Sequence, residues 1–285
     1  MKLFKNLQPF LTFIVGFFLL FMLACSMRVM YNYMDWIIPY YMDDYVSLTH
    51  KQEEFFDHAT NQFIDWHRTE ELPRYENYIV GLKKAQTAPM SRQQVLQFFA
   101  DAEALWASLL TESMPSLLEL STQLSEKQLK EINDALRDNI KELQNKYRKK
   151  NDIQRRDFWR KKMYDTVDDW LGRVTNNQAE IIRLWSETRI DTTDSWLAYR
   201  NSWRKEFIEL LNRRHSANFK EDMSIFLLNH ERLYQEAFRL DVSENRRHFA
   251  QVIADLSTTF NPQQRHHLRH ELDKIIGDLK ELRDK

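Results

Sequence analysis

Five stretches of this sequence carry the pattern of a helix start. In each, an apolar residue precedes Ser, Thr or Asn, and a Gln follows three residues after that cap residue. The cap side chain can accept from the backbone N–H three residues on, while the Gln side chain can accept from the cap N–H. The five boxes are Leu48–Gln52, Met90–Gln94, Leu124–Gln128, Val174–Gln178 and Phe260–Gln264. The sequence therefore predicts a well-capped helix after each box.

The spacing of the five boxes leaves two architectures open. Their cap residues stand at positions 49, 91, 125, 175 and 261, so successive caps are 42, 34, 50 and 86 residues apart. The last interval is roughly twice the first, as expected for a diverged helical hairpin of about 40 residues that repeats along the chain. Independent capping within an irregular bundle explains the same positions, and we favour it.

Turn-forming residues are too scarce for a sheet protein. The 285 residues include only 4 Gly and 6 Pro, and strands joined by hairpins need many more. With 29% charged and 43% hydrophobic residues, the composition suits amphipathic helices rather than disorder. We predict one all-α body, either an irregular multi-helix bundle or a helical-hairpin array. Its one long central helix runs from Ser125 to Gly172 and is open to a kink at Asn151.

The N-terminus has the features of a secretory signal. Basic residues precede an apolar run, Phe10–Ser26, that is shorter than the roughly 20 residues needed to span a bilayer. Its end, Met22-Leu23-Ala24-Cys25, resembles the bacterial lipobox. The resemblance implies cleavage after Ala24, acylation of Cys25 and, because Ser26 follows, sorting to the inner leaflet of the outer membrane. The alternative is an uncleaved short anchor with a free Cys25.

This interpretation divides the chain into three parts. Residues 1–24 are a signal peptide, residues 25–46 are a lipid-anchored, aromatic-rich segment, and residues 47–285 are an all-α periplasmic body. Because the only cysteine is then acylated, the body has neither a disulfide nor thiolate chemistry.

The aromatic-rich segment allows two interpretations. Tyr33, Trp36 and Tyr40 can share one face of a helix, which Pro39 should kink or interrupt. Aromatic rings with polar tips suit the lipid headgroup layer beside Cys25. They equally suit a core helix of the body, which is the interpretation that we favour.

The strongest local charge lies in residues 141–162. That stretch holds ten Lys or Arg and three acidic residues, although the whole chain has a net charge of −1. Such a stretch can bind anionic lipid or glycan, whereas the near-neutral chain lacks the charge of a nucleic-acid-binding protein. Taken alone, the segment is more typical of a solvated helix face. The candidate surface-binding residues are Arg148, Lys149, Lys150, Arg155 and Arg156.

Two histidines near the last helix start are candidates for a metal site. His266 and His270 are four residues apart and share a helical face, a spacing that two ligands of Zn or Cu could use. No further ligand is identifiable, so a solvated polar face is the favoured interpretation. The sequence predicts no resident cofactor.

A second polar cluster surrounds His67. Its neighbours along the chain are Arg68, Glu70, Glu71 and Arg74. A His–carboxylate pair could serve acid–base catalysis, but His and Arg also suit the negative end of a helix, and we favour capping and packing. The chain has no nucleophile elbow, phosphate loop, HExxH or EF-hand motif, so no enzyme is predicted.

Two resemblances follow from these motifs. The boxes Leu48–Gln52 and Leu124–Gln128 look like the Leu-Thr-x-x-Gln signature of Spy/CpxP-type periplasmic chaperones, which are small all-α proteins that cradle unfolded clients. Over most of the mature chain, the sequence also resembles an uncharacterised family of proteobacterial helical lipoproteins. That second resemblance implies a lipoprotein with a helical fold and supplies no activity. The segments that carry it include Tyr31-Asn32, Asp35-Trp36, Asp44-Tyr45, Trp66–Arg68, Glu71–Tyr75, Leu105-Trp106 and Pro262–Leu268.

The sequence thus predicts a non-enzymatic envelope lipoprotein. It would bind a protein partner, an unfolded client or an anionic envelope surface, and it would reach the membrane through acylated Cys25. The alternative is a metal-binding sensor or hydrolase that uses the histidine clusters.

Overall fold

The computed structural model describes residues 26–284, and it is helical throughout, with no strand in that range. The prediction of an all-α multi-helix bundle is confirmed. The twelve α-helices of this range are α1 Ser26–Asn32, α2 Met34–Asp43, α3 His50–Trp66, α4 Leu72–Ala85, α5 Arg92–Gln123, α6 Glu126–Arg148, α7 Asp152–Leu171, α8 Asn176–Thr188, α9 Thr193–Asn212, α10 Phe219–Leu228, α11 Glu236–Thr258 and α12 Pro262–Arg283. A π-helical turn, His67–Glu71, joins α3 to α4, and a 3₁₀ turn, His230–Leu233, lies between α10 and α11.

All five predicted boxes start a helix. They begin α3, α5, α6, α8 and α12, and in each the Gln side-chain oxygen accepts from the cap N–H at 2.8 to 3.2 Å. Two orphan backbone donors at each helix start can therefore be satisfied locally.

The long central helix predicted from Ser125 to Gly172 is in fact two helices. A sixth capping box interrupts it, in which the Gln154 N–H donates to Asn151 Oδ1 at 2.9 Å and the Asn151 N–H donates to Gln154 Oε1 at 3.0 Å. The cap residue is extended (φ −72°, ψ 172°), so α6 cannot continue through it. The predicted stop at Gly172 is confirmed, and this residue takes the left-handed conformation (φ 77°) that favours glycine.

Two further helix boundaries differ from the sequence prediction. Pro115 was expected to begin a short helix but lies inside α5, because Met114 and Leu118 on either side of it pack into a buried cluster that holds the helix together. The helix expected near residues 217–239 is broken between α10 and α11 by the 3₁₀ turn.

One pair of box glutamines meets in the interior and links two helix starts. Gln128 Nε2 donates to Gln52 Oε1 at 2.7 Å, and Gln52 Nε2 lies 3.3 Å from Gln128 Oε1. Each amide also donates to a backbone carbonyl beside the partner's box, at Gln123 and Ser47, both at 2.9 Å. Both glutamines are buried. We call this pair the first glutamine lock.

A second glutamine lock repeats this arrangement between the starts of α8 and α12. Gln178 and Gln264 exchange hydrogen bonds of 3.0 and 2.9 Å between their side-chain amides. Gln264 also donates to the Arg173 carbonyl at 2.7 Å, and Gln178 donates to the Thr259 hydroxyl at 3.0 Å. Both buried amides are therefore hydrogen-bonded, as buried polar groups must be if burial is not to destabilise the fold.

The two locks divide the bundle into halves with corresponding contacts. In the first half, α2–α6, helix α2 packs on α3 and α3 contacts α5; in the second half, α7–α12, helix α7 packs on α8 and α8 contacts α11. The contacts that correspond therefore span about half of the described chain each, and they do not divide it into hairpins of about 40 residues.

Helices of the two halves also pack against each other. Helix α4 of the first half packs along α12 of the second, and α6 of the first half packs along α9 of the second. Leu72 and Ile79 of α4 meet Leu272, Ile275 and Leu279 of α12 in one buried cluster. These contacts join the two halves into a single body, because the cluster draws its buried apolar side chains from both.

The locks can be separated experimentally from ordinary capping. Gln128→Ala should lower the free energy of unfolding by about 2–3 kcal/mol, because it removes the cap contact, both hydrogen bonds to the buried Gln52 amide and the donor to the Ser47 carbonyl. Urea unfolding followed by circular dichroism measures this loss.

Gln94→Ala is the matched control, because Gln94 completes the same kind of box but is exposed and joins no lock. It should cost only about 0.5–1 kcal/mol. Equal losses for the two variants would show that the lock contributes nothing beyond capping.

Candidate functional site

The basic residues of 141–162 surround the junction between α6 and α7, and four of the ten are neutralised there. Arg148 pairs with Asp194, and Arg160 and Lys161 pair with acids on α7 itself. Arg155 pairs with Asp152 and Asp191 and donates to the Lys150 carbonyl at 2.8 Å. Arg155 is largely buried (17% exposed), so it holds the junction together rather than facing a partner.

Six cations of the segment have no acidic partner within 4.0 Å among residues 26–284. Of the five predicted surface-binding residues, Lys149, Lys150 and Arg156 belong to this unpaired group, whereas Arg148 and Arg155 do not. The six unpaired cations are Lys141, Lys146, Lys149, Lys150, Arg156 and Lys162.

Lys146 lies within electrostatic reach of two other unpaired lysines, Lys150 and Lys162. Burial lowers the pKa of the Lys146 ammonium, and the charges of Lys162 and Lys150 lower it further. The Lys150 ammonium lies 5.7 Å from the centre of the Phe158 ring, and that ring meets Tyr147 edge to face.

The sequence prediction named neither Lys146 nor Lys162. Local spacing does not single them out, because Glu142 stands four residues before Lys146 and Asp165 stands three residues after Lys162. In the structure Asp165 pairs with Lys161 instead.

The aromatic segment is not a core helix, so the favoured interpretation of residues 25–46 is wrong for α2. No side chain of α2 is buried, Trp36 is 63% exposed and Tyr33 is 59% exposed. Trp36 stacks on Tyr40 with ring centres 5.3 Å apart. The helix also continues past Pro39, and the break lies at Tyr33 instead. These exposed rings form the aromatic face of the molecule.

Helix α1 fixes the aromatic segment to the body. Arg28 of α1 forms ion pairs with Asp278 and Glu281 of α12, and Tyr31 contacts His67. The exposed rings of α2 are therefore carried by a segment that is attached at both ends, since Val46 after α2 is buried in the core.

His67 lies in the π-helical turn and does not cap a helix end. The chain stays helical from α3 through this turn into α4, so the expected capping role of His67 and Arg68 is wrong, while the expected packing role is correct. The His67 Nδ1 hydrogen-bonds to the Tyr31 hydroxyl at 3.0 Å, and the ring also contacts Phe63 and Tyr75. Burial lowers the His67 pKa to about 4.

Glu71 ends the same turn and is fully buried. Its Oε1 accepts hydrogen bonds from Arg74 and, at 2.6 Å, from the Ser108 hydroxyl, while its Oε2 has no partner among residues 26–284. His67 is neutral at pH 7 and hydrogen-bonds to Tyr31 rather than to this carboxylate. The alternative interpretation, a catalytic His–carboxylate pair, is therefore not formed between His67 and Glu71.

The C-terminal histidines line a cavity of about 530 Å³ beside the second lock. His266 and His270 are exposed on α12, and His267 packs against Gly172 with its Nε2 3.2 Å from the Asp169 carbonyl oxygen. No group of three His, Cys, Asp or Glu side chains in residues 26–284 is arranged to hold a metal ion. The cavity brings the two candidate ligands near each other but gives them no third ligand.

The helical halves, the exposed aromatic face and the partly unpaired basic junction define an all-α bundle protein. The chain belongs to a family of unknown function, DUF6279, whose model matches residues 44–239. This match confirms the prediction of an uncharacterised family, and it includes the whole basic junction. No curated protein and no solved structure matches the chain. Among the helices of residues 26–284, none has the length and apolar character needed to cross a membrane.

The buried His67 makes stability depend on pH. Because its folded pKa is about 4 and a free His titrates near 6.5, the unfolded chain takes up the proton first as pH falls. The free energy of unfolding should therefore fall by about 2 kcal/mol from this group between pH 7.5 and pH 5. Urea unfolding at both pH values measures the change.

His67→Gln provides the comparison, because glutamine can keep a hydrogen bond to Tyr31 but does not titrate. The variant should lose about 2 kcal/mol less than the parent over the same pH range. Parallel curves for the two proteins would contradict the burial of a neutral His67.

Proposed function

We propose that this protein is a non-enzymatic envelope lipoprotein, anchored through acylated Cys25, whose basic junction binds an anionic envelope surface. The observation that carries the proposal is the set of six cations in residues 141–162 that have no acidic partner among residues 26–284. Unpaired Lys and Arg near an anionic surface each contribute about 1 kcal/mol of attraction, which salt weakens.

The aromatic face supports the same proposal. Tyr33, Trp36 and Tyr40 leave large amphipathic rings in solvent, eight to fifteen residues after Cys25. Side chains of this kind favour the headgroup layer of a membrane. An acylated Cys25 would keep α2 within reach of that layer. Because Ser26 follows Cys25, the sorting rule of such lipoproteins implies that the layer belongs to the inner leaflet of the outer membrane. Cys25 and the signal segment 1–24 lie outside the described residues.

Two other predicted functions have less support. The boxes that resemble the Spy/CpxP signature serve as glutamine locks, so the fold accounts for them without a client. The alternative of a metal-dependent sensor or hydrolase lacks a third ligand beside His266 and His270 among residues 26–284.

The anchor has a direct test. Cys25→Ser should leave an unprocessed precursor and abolish labelling with a palmitate analogue in cells, because acylation requires the Cys25 sulfur. Gel mobility and fluorescence of the labelled protein measure both effects. Labelling that persists in this variant would refute the lipoprotein proposal.

The binding surface is tested with the unanchored body, residues 26–285, once circular dichroism shows that it is helical. This protein should sediment with vesicles that contain phosphatidylglycerol at low salt and be released at high salt. Lys149→Gln, Lys150→Gln and Arg156→Gln together should abolish most of the binding. Arg148 and Arg155 stay unchanged, because their ion pairs support the junction.

The matched control removes three charges from the other end of α6. Lys127, Lys130 and Arg137 are exposed and already paired with acids of the same helix, so changing all three to Gln should leave vesicle binding close to the parent. If the two triple variants bind equally, the junction is an ordinary solvated surface and the proposal fails.

A further inference from the structure

The two glutamine locks set corresponding positions of the two halves in register. In the first lock Gln128 donates to the carbonyl of Ser47, and in the second lock Gln264 donates to the carbonyl of Arg173. Each of these carbonyls stands five residues before the other glutamine of its lock. Ser47 therefore corresponds to Arg173, and the residues that follow Gln128 correspond one by one to those that follow Gln264.

In the first half, the side chains beside the lock neutralise one another. Lys130 and Asp134, the second and sixth residues after Gln128, form an ion pair of 2.7 Å. Glu131, the third residue, accepts a hydrogen bond from the Ser47 N–H at 3.0 Å. Each ionisable side chain at these three positions thus has a partner within the protein.

In the second half, the same positions carry three histidines. His266, His267 and His270 are the second, third and sixth residues after Gln264, and together with Arg173 they line the cavity beside the second lock. None of these four side chains forms an ion pair within 4.0 Å among residues 26–284. Within the same range, the residues that line the cavity include no Asp or Glu. The place that is neutralised from within in the first half is therefore left without acidic partners in the second.

The end of α7 shapes the cavity without adding a carboxylate to its lining. Asp168 Oδ1 accepts from the Val174 N–H at 2.9 Å, and the backbone carbonyl oxygen of Asp169 lies 3.2 Å from His267 Nε2. Gly172 makes room for this imidazole, because a Cβ on Gly172 would lie only 3.1 Å from His267 Cγ. The His267 ring is thus held as one wall of the cavity.

The lining favours an anion over a metal ion. The guanidinium of Arg173 is always charged and can bind a carboxylate or phosphate group through two parallel N–H donors. His266 and His270 can each donate one further N–H. To a transition metal, the same two imidazoles would offer two of the four usual ligands beside a repelling cation. No group of three His, Cys, Asp or Glu side chains in residues 26–284 could complete such a site.

We propose that this cavity binds a small organic anion, whose phosphate or carboxylate group is held by Arg173, His266 and His270. The organic part of the ligand would pack against Leu171 and the His267 ring, which also line the cavity. The volume of about 530 Å³ lies within the range of roughly 300–1,000 Å³ that is usual for small-molecule sites. The cavity lies at the end of α7, whereas the basic junction lies at its start, so this inference does not depend on the proposed function.

The test uses the full chain in a neutral detergent, with histidine labelled by ¹³C, and follows the ring resonances by NMR. Phenyl phosphate and benzoate are the organic anions, phenol is their neutral counterpart, and inorganic phosphate lacks the ring. At least one organic anion should shift the resonances of His266, His267 and His270, and it should bind at least tenfold more tightly than phenol or inorganic phosphate. The tighter of the two organic anions identifies the group that the site prefers.

Several results would overturn the inference. Equal affinity for phenol would refute recognition of an anion, and equal affinity for inorganic phosphate would refute recognition of an organic one. Zinc chloride is the remaining probe: if Zn²⁺ binds these histidines more tightly than both organic anions, the cavity is a metal site. If no organic anion shifts the three resonances, the cavity is not a binding site.

The first half supplies a variant that closes the site. His266→Lys together with His270→Asp copies the ion pair of Lys130 and Asp134 into the second half. Because that pair neutralises the place from within, the double variant should bind the preferred anion at least tenfold more weakly, as followed at the His267 resonance. Its melting temperature should stay close to that of the parent. Unchanged affinity in this folded variant would contradict the site.

A pair of single variants separates the site from general attraction. Arg173→Gln should weaken binding of the preferred anion at least tenfold. Arg269→Gln is the matched control, because Arg269 is exposed on α12, does not line the cavity and carries the same charge. It should alter the affinity less than twofold. If the two variants lose affinity equally, the attraction is diffuse and the inference is wrong.

Discussion

The reciprocal hydrogen bonds of the two glutamine locks are the interaction on which the rest of the structure depends. A side-chain amide has two acceptor positions and two N–H donors. In Gln128 the oxygen accepts from the Ser125 cap N–H and from Gln52, while the nitrogen donates to Gln52 and to the Ser47 carbonyl. One residue type therefore caps a helix, satisfies a loop carbonyl and holds a second helix start in place. Ala could do none of this, and Glu would bring a buried charge and no donor.

The packing of helices between the two halves follows from the position of the locks at the helix starts. Each lock ties the start of one helix to the start of another, α3 to α6 and α8 to α12, and leaves the far ends of those helices to find other partners. The far ends of α6 and α12 then pack in the opposite half, with Leu143 against Leu197 of α9 and Leu279 among side chains of α4. Local capping thus fixes two pairs of helix starts, and apolar burial between the halves fixes their relative position.

The sequence predicted the capping boxes, which are local, but not the tertiary contacts that join them in pairs. The boxes were recognisable because cap, spacing and Gln are all local signals. The choice of Gln128 as partner of Gln52, 76 residues away, depends on how the halves pack, and no local pattern contains it. The Asn151 box was missed because Lys150 stands where the pattern had an apolar residue. Among the site residues, charge alone could not separate Arg155, which is buried in ion pairs, from Lys150, which is not.

Helices α2 and α7 occupy corresponding places, since each precedes the first locked box of its half and packs on the helix that follows that box. Their outward faces have different chemistry: α2 exposes Trp36 and its neighbouring rings, while the start of α7 exposes Ile153 beside unpaired cations. Neither set of side chains is needed for the locks or the core, so the fold does not explain why they are there. Amphipathic rings and unpaired cations are the two kinds of side chain that an anionic membrane interface favours. Both α2 and the start of α7 depart from an ordinary solvated surface, and both departures suit a membrane interface. Their agreement is harder to attribute to chance than either departure alone.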